Sequence, residues 1–562
     1  MVGQRMNVIP PSLAQIIDCI EQQKSFLLEA GAGSGKTWTL VETLKYIIQE
    51  HSSDMERTGQ QVVCITYTNV AKHEITSRID NHPLVVVLTI HEFLWLVCRN
   101  YQSELKRLIV EDNAKGKKKI EGLADKLSKK NIEYSQYGRR LEEGEISHDQ
   151  VLSLASSLFI RFPKIARIVA NKFPYLFVDE YQDTEPQTVS LLLKNLLAGN
   201  EARFVIGFFG DSMQKIYNKG VGEIQDEALL TITKTDNYRC SQAVIKLLGK
   251  IRPTLVQHPA GSNLPGEVTF IYCQPDALAL ATNYLATQNW LESQKGWRFK
   301  DTKILMLTHK GIAAHQGYNN LLDVYDQYSS FRDRLFEKEE RYIKFLCNTV
   351  EALVEHYANK RYAEFIQLLS IRGWPLSRHA DKIRLKDKMD ELNRLRTECT
   401  IGEVLQYIFD SKLLGKPGTM SEFEEEIKGE TTDELIERRK TFFHNLMAIP
   451  YEEVIVFNKF VEDLTPFATK HGVKGAEFTN VLVIIDDGAW NMYKFSDVFA
   501  GKDKGSARYE RTLNLLYVCC SRAKDRLALL NLAPLDSSAL ANLNDWFGIA
   551  NVLSISDLPT RD

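Results

Sequence analysis

The sequence lacks the features that mark several specialised protein classes. Its 562 residues include nine cysteines, none in a Cys-x-x-Cys pair, and only Cys519 and Cys520 lie close together. Adjacent cysteines rarely pair and no histidine cluster accompanies them, so we expect reduced thiols and no zinc or iron–sulfur site in a cytoplasmic protein. Met1–Pro11 has no apolar segment typical of a secretory signal. No run reaches the roughly 18 to 20 apolar residues that cross a bilayer, so no membrane partner is expected.

The chain also lacks a dominant charge. Lys and Arg together number 70, Asp and Glu together number 73, and the formal net charge is −3. A nucleic-acid site must therefore be a local channel or patch, because the whole protein is not basic. The hydrophobic fraction of 44% and the charged fraction of 25% are typical of soluble globular proteins. A chain of this length exceeds one hydrophobic core, so several domains are expected.

Short apolar runs separated by helical stretches predict buried parallel strands. The first series comprises Ser25–Glu29, Val62–Tyr67, Leu84–Thr89, Tyr175–Val178 and Phe204–Phe209. The second series comprises Val268–Tyr272, Ile304–Leu307, Val481–Ile485 and Leu527–Asn531. Each series indicates a doubly wound α/β domain.

Two charged, helix-like segments interrupt the strand series and predict helical insertions. We therefore predict four parts: a first α/β domain at 1–98 and 174–235, an insertion at 99–173, a second α/β domain at 236–310 and 464–562, and an insertion at 311–463. The first insertion contains a basic run formed by Lys115, Lys117, Lys118 and Lys119. We favour a solvated surface face for this run; the alternative is a strip that contacts nucleic-acid phosphates.

The most informative segment lies between the first predicted strand and a predicted helix. Its sequence is Ala30-Gly31-Ala32-Gly33-Ser34-Gly35-Lys36-Thr37. Glycines let backbone N–H groups approach phosphate oxygens, and a helix N-terminus adds partial positive charge. Lys36 is expected to reach the β- and γ-phosphates of ATP, and Thr37 to ligate Mg²⁺. Ala30 departs from the strict phosphate-loop pattern, which begins with glycine.

A second predicted strand ends in two acids, Asp179 and Glu180. At the carboxyl end of a parallel strand, Asp179 can hold Mg²⁺ and Glu180 can orient or deprotonate an attacking water. An Asp-Glu pair is only suggestive alone, because many apolar strands end this way. Combined with the phosphate loop, it predicts an ATP-hydrolysing site.

The residues around this pair resemble the UvrD/Rep/PcrA group of superfamily 1 DNA helicases. Asp179-Glu180-Tyr181-Gln182-Asp183-Thr184 is similar to the DExQD box of that family. Other blocks resemble the family's motifs in the same order along the chain: Thr66–Ala71, Thr89–Phe93, Gly210–Tyr217, Asn237–Cys240, His471–Phe478 and Leu516–Lys524. The resemblance implies an α/β fold with two RecA-like parallel-sheet domains and helical insertions, with ATP at the seam.

The resemblance also assigns roles at the nucleotide. Gln15 would read adenine, Tyr238 would stack on it, and Glu477 would contact the nucleotide. Gln214 would sense the γ-phosphate, while Arg239 and Arg522 would approach it from the second domain. The remaining residues expected around ATP and Mg²⁺ are Gly31, Ala32, Gly33, Ser34, Gly35, Lys36, Thr37, Asp179 and Glu180. Two guanidinium groups at the terminal phosphoryl would stabilise the charge that spreads over its oxygens during transfer.

For the nucleic acid, the resemblance implies 3′ to 5′ movement along single-stranded DNA and unwinding at duplex junctions, in DNA repair or anti-phage defence. The expected DNA contacts are Thr66, Thr68, Asn69, His91, Tyr217 and His471. Two departures from the family's motifs concern DNA binding. Asn218-Lys219-Gly220 follows Tyr217 where the family has a base-stacking aromatic, and Val70 replaces a usual lysine. A stacked base contributes about 1–3 kcal/mol to binding, so without it we expect weaker DNA binding and weaker coupling of ATP hydrolysis to each step.

The chain is shorter than the repair helicases of the group. Compact UvrD-like helicases also occur as partners of overcoming-lysogenization-defect (OLD) family nucleases, as in Gabija anti-phage systems, and an OLD-family nuclease partner is therefore one expectation. One alternative function is a DNA-sensing regulatory ATPase that controls a partner nuclease with little unwinding of its own. Another is a binding module with a degenerate nucleotide site, which the presence of the site residues disfavours. RNA remains an alternative substrate.

Overall fold

Two parallel sheets organise the molecule. The computed structural model describes residues 9–66, 69–115, 119–134, 140–215, 220–274, 280–306, 312–313, 316–336, 338–370, 379–429, 433–462, 467–468, 476–487 and 493–558. Seven residues that carried predictions above lie outside these ranges: Thr68, Lys117, Lys118, Tyr217, Asn218, Lys219 and His471.

The first sheet has six strands in the order β3-β2-β6-β7-β1-β8, and every neighbouring pair is parallel. The strands are β1 (Phe26–Ala30), β2 (Val62–Ile65), β3 (Val85–Leu88), β6 (Tyr175–Asp179), β7 (Val205–Gly210) and β8 (Leu230–Lys234). A two-stranded ladder, β4 (Glu133–Tyr134) and β5 (Glu145–Ile146), lies within the first insertion.

The second sheet repeats this strand order. Its strands are β11 (Glu267–Tyr272), β12 (Thr302–Met306), β13 (Phe467–Ala468), β14 (Phe478–Ile485), β15 (Ala523–Asn531) and β16 (Val552–Ser554), arranged β13-β12-β14-β15-β11-β16. All neighbouring pairs are parallel. Counted from its own first strand, each sheet therefore runs 3-2-4-5-1-6. The predicted α/β class with two RecA-like sheets and helical insertions is confirmed.

Helices cover both faces of each sheet. In the first half they are α1 (Pro11–Glu21), α2 (Lys36–Thr58), α3 (Asn69–Arg78), α4 (Ile90–Cys98), α5 (Gln102–Lys115), α6 (Leu123–Ser128), α7 (His148–Arg161), α8 (Pro163–Lys172) and α9 (Pro186–Ser190). A π-helical segment, Leu191–Leu197, continues α9. Between the sheets, β9 (Asp236–Asn237) pairs with β10 (His258–Pro259).

The second half of the chain contains the longer insertion and also helices before and after it. Its helices are α10 (Gln242–Ile251), α11 (Leu280–Lys295), α12 (Asn319–Asp326), α13 (Ser329–Phe336), α14 (Arg341–Phe345), α15 (Ala352–Ala358), α16 (Tyr362–Ser370), α17 (His379–Glu398), α18 (Ile401–Asp410), α19 (Gly418–Glu426), α20 (Glu434–Met447), α21 (Tyr451–Val461), α22 (Phe495–Ala500), α23 (Ala507–Cys520) and α24 (Ser537–Phe547). No helix in the described ranges is long and apolar enough to cross a membrane.

Each insertion shares an apolar core with its sheet. Alternation along β1 places Leu27 on the face covered by the first insertion, and Phe26 and Leu28 on the face covered by α1 and α2. The second insertion packs in the same way against Ile304 and Leu482 of the second sheet. The insertions are therefore continuous with the sheets in packing, and the predicted domain boundaries stay a prediction.

Candidate functional site

The phosphate loop joins the carboxyl end of β1 to the N-terminus of α2. Gly33 and Gly35 have φ of +71° and +78°, a region that favours glycine. A Cβ at Gly33 would lie 2.7 Å from Arg239 Cβ and 2.8 Å from Asn237 Oδ1. The loop therefore needs glycine for its turn and for the close approach of the segment that follows β8.

The loop has the chemistry of an anion site. The Ser34 side chain is buried, and its Oγ has no hydrogen-bond partner among the described residues. Lys36 begins α2 with 9% of its side chain exposed, so a cation lies beside backbone N–H groups at a helix N-terminus. Buried donors without partners are unfavourable unless a ligand satisfies them. These residues therefore fit the phosphates of ATP.

The acidic pair lies next to the phosphate loop. Asp179 ends β6 and is buried, and Glu180 follows with φ +50°. Glu180 Oε2 lies 3.5 Å from Lys36 Nζ and accepts a hydrogen bond from Gln182 Nε2 at 2.5 Å. The hydroxyl of Thr37 and the carboxylate of Asp179 are oxygen ligands of the kind that Mg²⁺ prefers. They are the residues that would hold the metal.

Arg522 reaches this region from the second sheet. It is 1% exposed, and its Nη2 donates to Gln214 Oε1 at 3.3 Å. Its Nη1 donates to the Ala476 carbonyl oxygen at 3.3 Å. Burial, together with the nearby Arg239 guanidinium, lowers the pKa of Arg522 to about 10, whereas the Glu180 carboxylate opposes that shift. A buried cation beside a second cation is stabilised by an incoming anion.

The segment after β8 closes over the loop. Tyr238 N donates to the Gly33 carbonyl oxygen at 2.9 Å, and Asn237 Nδ2 donates to the Ala32 carbonyl oxygen at 2.9 Å. Arg239 Nε donates to Glu477 Oε2 at 2.8 Å. Burial raises the pKa of Glu477, but the Arg239 and Lys524 cations outweigh burial and the net pKa is lowered. The sequence block around Asn237 therefore lies directly on the phosphate loop.

A cavity of about 470 Å³ opens beside these groups. Its lining residues are Gly33, Ser34, Gly35, Trp38, Tyr238, Arg239, Glu477 and Lys524. Six of them were predicted from the sequence, whereas Trp38 and Lys524 were missed. Lys524 lies within a recognised block, so a basic residue next to Arg522 was a usable signal. Trp38 carried none, because an exposed tryptophan in the first turn of a helix has many explanations.

Four predicted residues do not line this cavity: Gln15, Thr66, Asn69 and His91. Gln15 is exposed on α1 and is not among the described residues that line it. Thr66 follows β2 and is 2% exposed, Asn69 begins α3, and His91 is half-buried in the first turn of α4. The DNA contacts assigned to these residues stay predictions.

The structure explains two residues of the Thr89–Phe93 block. Thr89 caps α4: its Oγ1 accepts from Glu92 N at 3.3 Å, and Glu92 Oε2 accepts from Thr89 N at 2.7 Å. This reciprocal capping box satisfies two donors that the first turn leaves without partners. Lys72 of α3 pairs with Glu92 at 3.1 Å. The threonine and the acid of this block therefore serve to start the helix that presents His91.

Comparisons with known proteins place these features in context. The profile of a protein family described as an AAA domain matches residues 14–219. The chain is 24% identical to the Gabija protein GajB of Bacillus cereus (strain HuB5-5), over 92% of this chain and 94% of that protein. It is 22% identical to the ATP-dependent DNA helicase PcrA of Staphylococcus aureus (strain MRSA252), over 89% of this chain and 80% of that protein. The predicted resemblance to these two groups is confirmed.

Proposed function

We propose that this chain, which is UvrD/PcrA-like and Gabija-related, is an ATP-driven motor of helicase type. It would move 3′ to 5′ along single-stranded DNA and unwind duplex at junctions. The setting is anti-phage defence or DNA repair in the cytoplasm. The polarity, the substrate and the setting are carried over from the resemblance, because the described residues that are expected to contact DNA do not define a binding site.

The proposal depends above all on one contact. Arg522, from the second sheet, donates to Gln214, from the first, at 3.3 Å. Lys36 pairs with Glu180 on the first-sheet side of the same seam. A terminal phosphoryl between these groups would meet a lysine from one core and arginines from the other. That arrangement makes closure of the two cores depend on the γ-phosphate.

The residues suggest how hydrolysis begins. Lys36 Nζ now neutralises Glu180, and a phosphate of ATP would compete for that cation. Release of Glu180, still oriented by Gln182 Nε2, would leave a carboxylate that can position water. Mg²⁺, when bound, supplies charge neutralisation at the phosphates. Arg522 and Arg239 would stabilise the charge that develops on the γ-phosphoryl oxygens.

Steady-state ATP hydrolysis, with and without single-stranded DNA, tests the motor site. Arg522→Ala should lower kcat by about 10³–10⁵, the range seen when an arginine finger is lost. Arg508→Ala is the matched control, because Arg508 lies on α23 and forms an exposed ion pair with Asp497. Lys36→Ala should abolish hydrolysis, whereas Lys45→Ala on α2, paired only with Glu42 among the contacts described, should not. Full activity in Arg522→Ala would contradict the proposal.

Strand displacement tests movement. Duplexes with a 3′ or a 5′ single-stranded tail, ATP and Mg²⁺ should show unwinding from the 3′ tail only. Unwinding from the 5′ tail would reverse the polarity, and unwinding of an RNA strand with equal efficiency would broaden the substrate.

The second candidate is a DNA-sensing regulatory ATPase that controls an OLD-family nuclease. The absent stacking aromatic after Tyr217 favours it, because a weak grip on bases limits step coupling. DNA-stimulated hydrolysis without strand separation from either tail would support this candidate over the motor.

A further inference from the structure

A buried arginine outside every recognised sequence block crosses the seam. Arg252 is the C-cap residue of α10, which packs against the second sheet, and Pro253 follows it. Its side chain is 4% exposed and enters the first core. Arg252 Nη1 lies 2.7 Å from Asp211 Oδ1, and Nη2 lies 2.5 Å from Glu29 Oε1. One guanidinium therefore bridges two carboxylates of the opposite core.

Both carboxylates belong to segments that carry the nucleotide site. Glu29 immediately precedes the phosphate loop at the end of β1. Its Oε1 also accepts from Ser212 N and Oγ, at 3.1 and 2.7 Å, and its Oε2 accepts from the Tyr181 hydroxyl. Glu29 thus ties the strand before the phosphate loop to the residue that follows Asp211.

Asp211 connects Arg252 to the γ-phosphate sensor. The Asp211 side chain is fully buried, and its Oδ2 accepts from Gln214 Nε2 at 2.8 Å. The same oxygen accepts from the Tyr517 hydroxyl at 3.4 Å, and that hydroxyl accepts from Ala32 N of the phosphate loop at 3.0 Å. Asp211 therefore touches the sensor directly and the phosphate loop through one hydroxyl.

The amide of Gln214 is fixed from both ends by these contacts. Its Nε2 points to Asp211, and its Oε1 accepts from Arg522. Asp211 Oδ2 accepts from both Gln214 and Tyr517 while Oδ1 accepts from Arg252, so the two acceptor contacts depend on how the carboxylate is turned. Burial raises the pKa of Asp211, and the Arg252 and Lys36 cations oppose that rise. Loss of Arg252 would remove the group that fixes Oδ1 and would let the carboxyl group turn away from Gln214.

We propose that Arg252 is a positioning residue for nucleotide hydrolysis: it orients Asp211 across the seam and thereby sets the amide of Gln214 toward the γ-phosphate. This inference deepens the proposed function and rests on it. Its guanidinium is engaged by Asp211 and Glu29, and its effect passes through Asp211. Buried ion pairs are weak sources of stability compared with apolar packing, so a role in geometry accounts better for an arginine at this position.

The test uses folded variants that separate the geometry of the Arg252 side chain from its charge. Arg252→Lys retains the cation but replaces the rigid planar guanidinium with a flexible ammonium group, which does not hold the two carboxylates in one fixed geometry. Because Arg252→Met would leave two buried acids without their cation, it is combined with Glu29→Gln, which removes one acid together with the arginine. Lys250→Met is the matched control: Lys250 lies on α10 and forms an ion pair with Asp545 within the second core. Thermal unfolding establishes that each variant is folded.

Two measurements read the effect. Isothermal titration gives the Kd of ADP and of AMP-PNP, and their ratio reports recognition of the γ-phosphate without hydrolysis. ATPase assays give kcat and KM. Arg252→Lys and the Glu29→Gln/Arg252→Met pair should each lower the ADP-to-AMP-PNP Kd ratio and kcat by about tenfold, with the Kd of ADP within about twofold of the parent, because only recognition of the γ-phosphate is lost. Lys250→Met should change neither.

Folded Arg252 variants that retain the parent Kd ratio and kcat would overturn the proposal. The proposal would also be overturned if Lys250→Met lowered the Kd ratio and kcat as much as Arg252→Lys does, because the effect would then come from general destabilisation of α10. If the parent protein binds nucleotide but hydrolyses none, the proposed function fails, and the Kd ratio still decides the role of Arg252.

Discussion

At the scale of single residues, the seam between the two sheets is built from close approaches. The backbone of Gly33 lies against Arg239 and Asn237, and the Ala32 N–H finds its acceptor on Tyr517 of the second core. Contacts of this kind tolerate little change, because packed interiors do not relax freely around added atoms. They therefore give sharp tests with matched controls elsewhere in the chain.

Gly33→Ala should weaken nucleotide binding and destabilise the fold, because the added Cβ would meet Arg239 Cβ at 2.7 Å and because φ is +71°. Gly59→Ala has the same backbone strain, with φ +67°, and open space around the new methyl group. The control should lose about 1–2 kcal/mol from left-handed strain alone. Urea unfolding and AMP-PNP titration of the two variants separate the clash from the strain. Equal losses in both variants would show that the seam relaxes around the methyl group.

Tyr517→Phe should destabilise the protein by about 1–3 kcal/mol, since it leaves the buried Ala32 N–H without an acceptor. The same change at Tyr509, two turns earlier on α23 and only half-buried, should have an effect within about 0.5 kcal/mol. Chemical denaturation measures both, and a Tyr517 variant as stable as the Tyr509 variant would contradict the assigned hydrogen bond.

At the scale of elements, the sequence predicted all eight interior strands of the two sheets and the edge strand β3, but it missed the other three edge strands. All nine predicted runs overlap strands, because buried strands form continuous apolar runs in the sequence. Leu230–Lys234 was missed since Leu230, Thr231 and Thr233 are exposed at the sheet edge. The short edge strands at 467–468 and 552–554 were missed as well, because two or three residues give no periodic signal.

The second insertion contains a buried ion pair that is separate from the nucleotide site. Arg396 Nε donates to Glu351 Oε1 at 2.8 Å, and the Tyr451 hydroxyl donates to the same oxygen at 2.9 Å. These residues join α17, the π-helical segment 346–351 and α21. Sequence alone could not select Arg396 from the many charged residues of α17, because only packing reveals which of them faces inward.

Arg396→Ala should destabilise this insertion by about 3–5 kcal/mol, because it leaves Glu351 buried without its cation. Arg394→Ala, two residues earlier, removes only exposed pairs with Glu391 and Glu398 and should lose about 0.2–1 kcal/mol. Urea denaturation monitored by circular dichroism compares them. Similar midpoints for the two variants would show that Glu351 finds another partner.

At the scale of the whole molecule, the sequence blocks located the residues of the candidate nucleotide site but not the network that joins its halves. The structure places Lys36 beside Glu180 and Arg522 beside Gln214, and the roles assigned to these residues and to Arg239 stay predictions. Arg252 and Tyr517 could not be assigned from sequence, since their partners lie 41 to 485 residues away and no local pattern reports a contact across a seam.

Nucleotide binding should protect both cores at once. In hydrogen-exchange mass spectrometry, saturating AMP-PNP should slow exchange in α2 of the first core and α23 of the second, because ligand binding stabilises whatever it contacts, by about 2.7 kcal/mol at 100 times Kd. In Arg522→Ala, protection should persist in α2 and disappear from α23. Protection that remains in both helices of this variant would show that another contact bridges the cores.

The second sheet is assembled from distant parts of the chain, with β11 at Glu267–Tyr272 paired to β15 at Ala523–Asn531. During synthesis, β11 and β12 leave the ribosome long before their central partners exist, while the first sheet already has all six strands by Lys234. At about 5–20 residues per second, these two strands, which do not pair with each other, wait on the order of tens of seconds for their partners. Vectorial translation thus gives the amino-terminal lobe a head start, whereas strands of the carboxyl-terminal lobe stay open to aggregation until their partners are made.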